Sequence, residues 1–245
     1  MKLYGLIGYP LGHSFSKKYF NQKFEKEGLA DCFFELFAIE HINLFPQLLL
    51  DNPLLHGLAV TIPYKETVIP HLNNLSDDAK AIGAVNCIQF LPDGLKGHNT
   101  DVIGFTKSFK PLLKEHHRKA MILGTGGASK AVQYALKQLG IPFLLVSRNG
   151  EGTNLITYRQ LNEALMQEYT IIINASPVGM YPHDDERPAI PYQFVTANHY
   201  LYDLVYRPAQ TAFLSEGISH AAITKNGLEM LELQAEENWK IWMEY

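Results

Sequence analysis

A glycine-rich turn constrains the fold of this chain more than any other feature of its sequence. The segment GTGGAS, residues 124–129, follows a short apolar run and begins a segment with the apolar spacing of an amphipathic helix. Gly124 permits a tight turn, Gly126 lets the backbone approach a pyrophosphate, and Ser129 is small enough for close packing. Strand, turn and helix together predict a Rossmann-like dinucleotide-binding unit; a turn that binds no ligand is the alternative.

The end of the next predicted strand indicates which dinucleotide is bound. A unit that binds NAD usually carries an acidic residue there, which holds the ribose hydroxyls. This chain has Ser147, Arg148 and Asn149 instead. Because a guanidinium can pair with a 2′-phosphate, the sequence favours NADP, although Glu151 weakens that preference. A solvated surface arginine is the other interpretation of Arg148.

The rest of the chain has an α/β pattern. The first hundred residues alternate predicted strands and helices and end in a hairpin at Asp93-Gly94. In the second half, buried apolar runs near residues 171 and 201 are typical of a parallel sheet. Strands are predicted at 3–7, 32–38 and 57–62, and helices at 15–27, 41–50, 76–82 and 227–245. The domain boundary is expected near residue 102.

Composition excludes several classes of function. The net charge of −4 provides no basic field for nucleic acid or an anionic membrane surface. The two cysteines, Cys32 and Cys87, indicate neither a disulfide framework nor a metal site, and suggest a cytoplasmic protein. No apolar run reaches membrane-spanning length, and the acidic and histidine clusters complete no metal-ligand spacing. The sequence leaves open whether the chain is a monomer or a homodimer.

Several separated motifs are spread over about residues 5 to 240. They are, in order, GYPLGHSFS, VTIPYKE, GAVN, NTD, GTGGAS, SR, NASPVGM, YDLVY and NGLEMLELQ. The set and its order resemble those of the shikimate dehydrogenases. The resemblance implies NADP-dependent interconversion of 3-dehydroshikimate and shikimate, a step in aromatic amino-acid biosynthesis. It also implies an N-terminal α/β substrate domain over 1–101, on which helix 227–245 packs back, and a Rossmann-like NADP-binding domain over 102–226, with the active site in the cleft between them.

The resemblance assigns roles to particular residues. Lys65 would exchange the proton of the reacting hydroxyl, and Asp101 would orient both groups. The other substrate contacts would be Ser14, Ser16, Thr61, Asn86, Tyr206 and Gln234. The cofactor contacts would be Gly124, Gly126, Gly127, Ala128 and Ser129 at the pyrophosphate, Ser147, Arg148 and Asn149 at the adenosine phosphate, and Ala175, Leu204 and Gly227 near the nicotinamide.

Plain structural roles compete with several of these assignments. From the residues alone, Lys65 is equally a surface lysine after a strand, and Asp101 a helix cap. The serines of HSFS can cap the helix that follows them, and Asn86 can be a turn residue. These alternatives stay open at the level of sequence.

Two departures from the family pattern bear on specificity. Ala59 stands where the family usually has Asn, and the period of a strand puts positions 59 and 61 on one face. Losing that amide predicts weaker binding or an altered substrate, with quinate as the candidate. The segment between Arg148 and Tyr169 is also short, which predicts that part of a helix is missing. The alternatives are therefore a quinate/shikimate dehydrogenase with relaxed cofactor choice, or a non-catalytic NADP-binding protein of the same fold.

Overall fold

The protein divides into two compact α/β units. The computed structural model describes residues 1–12, 14–150, 152 and 154–244. Unit 1 comprises Met1–Thr100 and Ala235–Tyr245, and unit 2 comprises Asp101–Gln234. The division therefore cuts the last helix, Leu228–Met243, after Gln234, whereas the sequence analysis assigns all of 227–245 to the first domain. Asp101 lies on the unit 2 side of the division.

Unit 1 is built on a mixed six-stranded sheet with the order β2-β1-β3-β5-β6-β4. The first three of these strands pair in parallel, and β5 runs antiparallel to both β3 and β6. The predicted hairpin is confirmed, with Leu91 paired to Gly94. The strands are β1 (Lys2–Gly8), β2 (Cys32–Ala38), β3 (Leu55–Val60), β4 (Asn74–Leu75), β5 (Cys87–Leu91) and β6 (Gly94–His98), and the helices are α1 (Phe15–Glu27), α2 (Phe45–Asp51), α3 (Tyr64–Thr67) and α4 (Asp77–Ile82).

The third strand is shorter than the sequence pattern predicts. The prediction of a strand over 57–62 is wrong at its carboxyl end, because β3 stops at Val60. Thr61 donates its N–H to the Ile7 carbonyl, and its own carbonyl accepts from the N–H of Tyr64, so it begins the turn into α3. Positions 59 and 61 nevertheless share one face, as the period of a strand predicts, because a Cβ atom at Gly8, which lies on the same side of β1 as Leu6, the partner of Ala59, would overlap the Thr61 side chain. Ala59 itself is buried in the core.

The last turns of the final helix, α9 (Leu228–Met243), belong to the core of unit 1. Trp239 and Trp242 pack against Tyr4, with ring centroids 5.2 and 5.3 Å away. The indole N–H of Trp242 donates to the carbonyl of Ile88 at 3.1 Å. At Gly57 a Cβ atom would overlap the Trp242 indole, so the indole lies directly over β3. The predicted apolar stripe of this helix is thus an element of the unit 1 core.

Unit 2 is a parallel six-stranded sheet with the order β12-β11-β10-β7-β8-β9. Its first strand, β7, lies in the middle, and the chain reverses direction across the sheet between β7 and β10. This is the strand order of dinucleotide-binding units, which bind ligands at the carboxyl ends of the strands beside that reversal. The strands are β7 (Ala120–Leu123), β8 (Phe143–Ser147), β9 (Leu155–Thr157), β10 (Ile171–Asn174), β11 (Tyr200–Asp203) and β12 (Ile223–Lys225), and the helices are α5 (Asp101–Phe109), α6 (Gly127–Gln138), α7 (Glu163–Glu168) and α8 (Ala212–Ser219).

Two buried histidines of unit 2 are held in one neutral form by backbone groups. The Nδ1 atom of His117 accepts from the N–H of Lys114 at 3.0 Å, and Nε2 donates to the Asn198 carbonyl at 3.1 Å. His199 has the same arrangement, with both backbone partners at 3.0 Å. Protonation of Nδ1 would remove the acceptor that each backbone N–H needs. Burial, which disfavours the charged form, also lowers the pKa of both imidazoles.

The unfolding free energy is expected to fall as the pH drops below about 6.5. The unfolded chain binds protons on His117 and His199 that the native chain excludes. Their stabilising effect is therefore complete above about 6.5 and is lost as the pH falls through their lowered native pKa values. Thermal unfolding at neutral and mildly acidic pH measures the slope. His199→Gln should reduce this slope. A pH-independent midpoint in the wild type would contradict the account.

Candidate functional site

The glycine-rich turn lies at the carboxyl edge of the unit 2 sheet, where β7 ends. Gly124 has φ = +112°, which L side chains rarely adopt, and a Cβ atom there would lie 3.1 Å from the backbone of Ala175. Ser129 is fully buried and donates its hydroxyl to the Gly124 carbonyl at 2.8 Å. Helix α6 begins at Gly127, with Gly126 before it and no side chain of a described residue capping its first turn. The backbone N–H groups of that turn can therefore hold a phosphate.

Four predicted cofactor residues are brought together at this edge. Ala175 donates its N–H to the Leu123 carbonyl, and Leu204 donates to the Asn174 carbonyl, both at 2.9 Å. A Cβ atom at Gly227 would overlap the Leu204 carbonyl. Gly124, Ala175, Leu204 and Gly227 thus form one continuous backbone surface beside the point where the strand order reverses. A flat ring could approach this surface closely, because glycine or backbone atoms line it.

The predicted adenosine-phosphate residues lie at the end of β8 and directly after it, at the same edge. Arg148 and Asn149 are exposed, and the Asn149 N–H donates to Ser147 Oγ at 3.4 Å. The described residues between β8 and β9 form bends and turns, and helix α7 lies further along the segment between Arg148 and Tyr169. Glu151 lies outside the described residues. Burial raises the pKa of the Tyr158 hydroxyl and the nearby Arg148 guanidinium lowers it, so Arg148 lies within electrostatic range of Tyr158.

Ser14 is the clearest candidate for ligand binding in unit 1. It occupies the N-cap position of α1 in extended conformation, yet its side chain makes no capping bond. Its hydroxyl oxygen is buried and has no hydrogen-bond partner among the described residues. The alternative that Ser14 serves as a side-chain cap is therefore wrong. A buried hydroxyl left unpaired is costly, so a ligand at this position would remove the cost. Ser16 lies two residues further on, in the first turn of α1.

Thr61 and Lys65 lie on the turn and short helix that follow β3. Tyr64, between them, is buried in the core and fixes α3 to the sheet. The Lys65 carbonyl accepts from the N–H of Val85 at 2.7 Å, which anchors its backbone. The Lys65 side chain is half-buried. The backbone at Lys65 is therefore fixed, while its ammonium group is carried by a flexible stem.

Asn86 is committed to a buried hydrogen-bond network. Its amide donates to Thr100 Oγ1 at 2.9 Å, and its Oδ1 accepts from the Thr100 N–H at 2.7 Å. The Thr100 hydroxyl in turn donates to Asn238 Oδ1, on α9, at 2.6 Å. The network ties the start of β5, the residue before Asp101 and the last helix together. Asn86 is thus a structural anchor of unit 1, whichever ligand contact it adds.

The three predicted substrate residues in unit 2 lie on two helices and on the loop after β11. Asp101 is the first residue of α5 and is buried. Gln234, on α9, donates its amide to the Leu231 carbonyl at 2.9 Å. A Cβ atom at Gly104 would lie 3.1 Å from Gln234, so α5 and the start of α9 are in contact. Tyr206 is half-buried beyond β11, and burial raises the pKa of its phenol.

One group of polar residues to which no motif assigns a role lies at the carboxyl ends of β10 and β11 and at the start of α8. Asn174, Asp203 and Thr211 are fully buried, and Asn174 and Thr211 both donate to the Asp203 carboxylate. The available signal was an aspartate inside the otherwise apolar run YLYDLVY. In the described part of the chain, no three acidic, histidine or cysteine side chains form a metal-binding group. Within the same residues, every helix falls short of the length or apolarity that crossing a bilayer requires.

Strand order and a glycine-rich turn at the reversal define unit 2 as a dinucleotide-binding α/β unit, which confirms the predicted fold class. The family model of the shikimate dehydrogenase substrate binding domain matches residues 6–88. A shikimate dehydrogenase (NADP(+)) of Clostridium beijerinckii is 37% identical over 255 residues, which cover 100% of this chain and 93% of the relative.

Solved structures agree with these sequence matches. Shikimate dehydrogenase from Aquifex aeolicus has a TM-score of 0.88 at 32% identity, with 100% of this chain and 93% of that chain covered. The Thermus thermophilus enzyme, solved in complex with NADP(H) and shikimate, has a TM-score of 0.87 at 28% identity, with 100% and 94% covered. The chain belongs to the shikimate dehydrogenase family, and the resemblance noted in its motifs is confirmed.

Proposed function

We propose that the chain is an NADP-dependent shikimate dehydrogenase, which reversibly reduces 3-dehydroshikimate to shikimate on the route to aromatic amino acids. The observation that carries the proposal is the backbone surface of Gly124, Ala175, Leu204 and Gly227 at the reversal of the unit 2 sheet. It occurs in a chain that matches shikimate dehydrogenases (NADP(+)) over nearly its whole length.

The proposed reaction transfers a hydride and a proton, and different groups handle each. NADP, when bound, accepts the hydride from the alcohol carbon or returns it to the ketone. Lys65 takes the hydroxyl proton in the oxidation and gives it back in the reduction. Asp101, buried at the start of α5, orients the reacting hydroxyl. Both serines of HSFS bind the substrate carboxylate, and Arg148 binds the 2′-phosphate.

Replacement of Ser14 by alanine is expected to raise KM for shikimate by roughly 10- to 100-fold, because a hydrogen bond to a charged group contributes about 1.5–3 kcal/mol. Stability should not fall, since the hydroxyl has no described partner to lose. The matched control is Ser76→Ala, because Ser76 Oγ accepts from the Ala79 N–H at 3.2 Å and does cap a helix. It should cost about 1 kcal/mol of stability and leave KM unchanged. If Ser14→Ala and Ser76→Ala changed KM and stability alike, the proposed contact between Ser14 and the substrate carboxylate would be contradicted.

Ala59 supports a second candidate, a quinate/shikimate dehydrogenase with relaxed specificity. The small side chain lies in β3, two residues before Thr61, where the family usually supplies an amide. Quinate carries one more hydroxyl than shikimate and lacks its double bond. Comparing kcat/KM for shikimate and quinate, each with NADP⁺ and NAD⁺, decides between the candidates. A preference for shikimate with NADP⁺ supports the first, and equal use of quinate supports the second.

The proposed enzyme acts on a small molecule in the cytoplasm, without a nucleic-acid or membrane partner. Cys32 and Cys87 are both buried free thiols, which suits a reducing compartment. A monomer and a homodimer are both compatible with the proposed chemistry, since every residue assigned to it comes from one chain. Light scattering on the purified chain distinguishes the two assembly states by mass.

A further inference from the structure

The carboxylate of Asp203 is the most deeply buried acidic group among the described residues to which the proposed chemistry gives no role. It is 0% exposed at the carboxyl end of β11. Its Oδ2 accepts from the Thr211 hydroxyl at 2.6 Å, and its Oδ1 accepts from the Asn174 amide at 2.9 Å and the Val205 N–H at 3.0 Å. All three donors are neutral. Both oxygens accept from donors, as those of an ionised carboxylate do. Burial raises the pKa of this carboxyl to about 6 even though the three hydrogen bonds act to lower it.

Asn174 links the carboxylate to the loop after β10 through hydrogen bonds. Its amide nitrogen donates to Asp203 and also to the Val178 carbonyl at 3.1 Å. Its Oδ1 accepts from the backbone N–H and the hydroxyl of Ser176, at 3.1 and 2.6 Å. Every polar atom of this amide therefore has a partner, and Asp203, the Val178 carbonyl and the Ser176 N–H together fix which way the amide is turned. We call Asp203, Asn174, Ser176 and Thr211 the carboxyl-edge network.

Thr211 connects the same carboxylate to a helix. Its Oγ1 accepts from the N–H of Leu214 at 3.2 Å and so caps α8, while the same hydroxyl donates a hydrogen bond to Asp203. Three segments therefore meet on one ionised group: the loop after β10, the loop after β11 and the N-terminus of α8. Hydrogen bonds to an ionised acceptor are shorter and stronger than neutral ones, which makes the carboxylate the strongest member of the network.

The carboxyl-edge network lies directly behind the backbone surface assigned to the cofactor. Ala175 lies between Asn174 and Ser176 in the chain, and Leu204 follows Asp203. Leu204 donates its N–H to the Asn174 carbonyl, and its own carbonyl faces Gly227. In a dinucleotide-binding unit the two halves of the sheet each hold one mononucleotide, and β10, β11 and β12 form the second half. The network thus supports the half that holds the nicotinamide.

We propose that Asp203 is a positioning residue for hydride transfer: its ionised carboxylate holds Asn174, and through it the backbone of Ala175 and Leu204, in the geometry that receives the nicotinamide ring. This inference rests on the proposed function, because it requires the chain to bind NADP and transfer a hydride. The glycine-rich turn and Arg148 hold the remainder of the cofactor. The network makes no described hydrogen bond to either of them. The network therefore governs the rate of transfer more than the affinity for the cofactor.

The test is Asp203→Asn in the full chain, with kcat for shikimate oxidation and the dissociation constant of NADPH measured separately. The near-isosteric amide cannot accept from all three donors, so we expect kcat to fall roughly 10- to 100-fold, as a small misplacement of reacting groups does. The NADPH dissociation constant should change by less than about threefold. Thr211→Val removes one donor and should lower kcat in the same direction. Thr211→Ser keeps the hydroxyl and serves as the matched control.

A merely structural role gives a different result. If Asp203 only stabilises the fold, Asp203→Asn will have a lower thermal unfolding midpoint but an unchanged kcat at temperatures well below that midpoint. That result would overturn the inference. Parallel losses in kcat and NADPH affinity would overturn it as well. If Asp203→Asn does not fold, kcat and the NADPH dissociation constant of Thr211→Val are compared with those of Thr211→Ser, and the same criteria decide. A wild-type chain that oxidises no shikimate rejects the proposed function instead, and is recognised because the activity is absent before any substitution.

Discussion

Replacement of Lys65 by alanine is expected to lower kcat for shikimate oxidation by roughly 10²- to 10⁴-fold, the range that general acid–base catalysis supplies. Lys65 is held by its backbone bond to Val85 at 2.7 Å on a helix fixed by the buried Tyr64. The substitution therefore removes the proton-transfer group without disturbing the fold. NADPH affinity should stay within about threefold of wild type, since the cofactor surface lies in unit 2.

Two further variants make the Lys65 prediction specific. Lys65→Arg keeps the positive charge but cannot release a proton near neutral pH, so it should be almost as slow as the alanine variant. Lys80→Ala removes an exposed lysine on α4 that lies 3.8 Å from Asp77, and it should leave kcat unchanged. Steady-state rates with saturating shikimate and NADP⁺ measure all three. A Lys65→Ala protein with near-wild-type kcat would contradict its assignment as the proton-transfer group.

Replacement of Trp242 by alanine is expected to lower the unfolding free energy of unit 1 by about 3–5 kcal/mol. The indole is 2% exposed, stacks on Tyr4 with a centroid distance of 5.3 Å, and donates to the Ile88 carbonyl at 3.1 Å. Its removal leaves a cavity over Gly57 and an unpaired carbonyl on β5. Met243→Ala, at an exposed position on the same helix, should change stability by less than about 0.5 kcal/mol.

The measurement can be made selective for unit 1. The chain has 2 tryptophans, and both lie in the cluster around Tyr4. Tryptophan fluorescence during denaturant unfolding therefore reports on unit 1, and Trp239 remains as the reporter in the variant. Circular dichroism follows both units, which matters because two-unit chains need not unfold in one transition. A Trp242→Ala midpoint close to that of Met243→Ala would mean that the last helix contributes little to this core.

Local signals explain which parts of the fold were predictable. The turn at Gly124 is encoded by adjacent residues, because positive φ, a following helix and a preceding buried strand all leave marks in one short segment. The same holds for the helix capped by Ser76 and for the hairpin of β5 and β6. The end of β3 is different: the Thr61 N–H still pairs with Ile7 of β1, which is distant in the chain, while the Thr61 carbonyl accepts from Tyr64 and so begins the turn into α3.

The supporting residues of the candidate site were not predictable for the same reason. Asn86 pairs with Thr100 and, through it, with Asn238, and Asp203 pairs with Asn174. Each pair joins segments far apart in the sequence, and an amide or carboxylate at a strand end looks the same whether it binds a ligand or another side chain. Resemblance to a family supplied the assignments of Lys65 and Ser14. The missing capping bond of Ser14 depends on its side-chain orientation, which a local sequence motif does not specify.

The initial rate of NADPH formation by the purified wild-type chain, with shikimate and NADP⁺, tests the central claim most directly. The account predicts a saturable, shikimate-dependent rise in NADPH absorbance, with NADP⁺ used more efficiently than NAD⁺. No shikimate-dependent signal with either cofactor, in a chain that still binds NADPH, would contradict it and indicate a non-catalytic NADP-binding protein of the same fold.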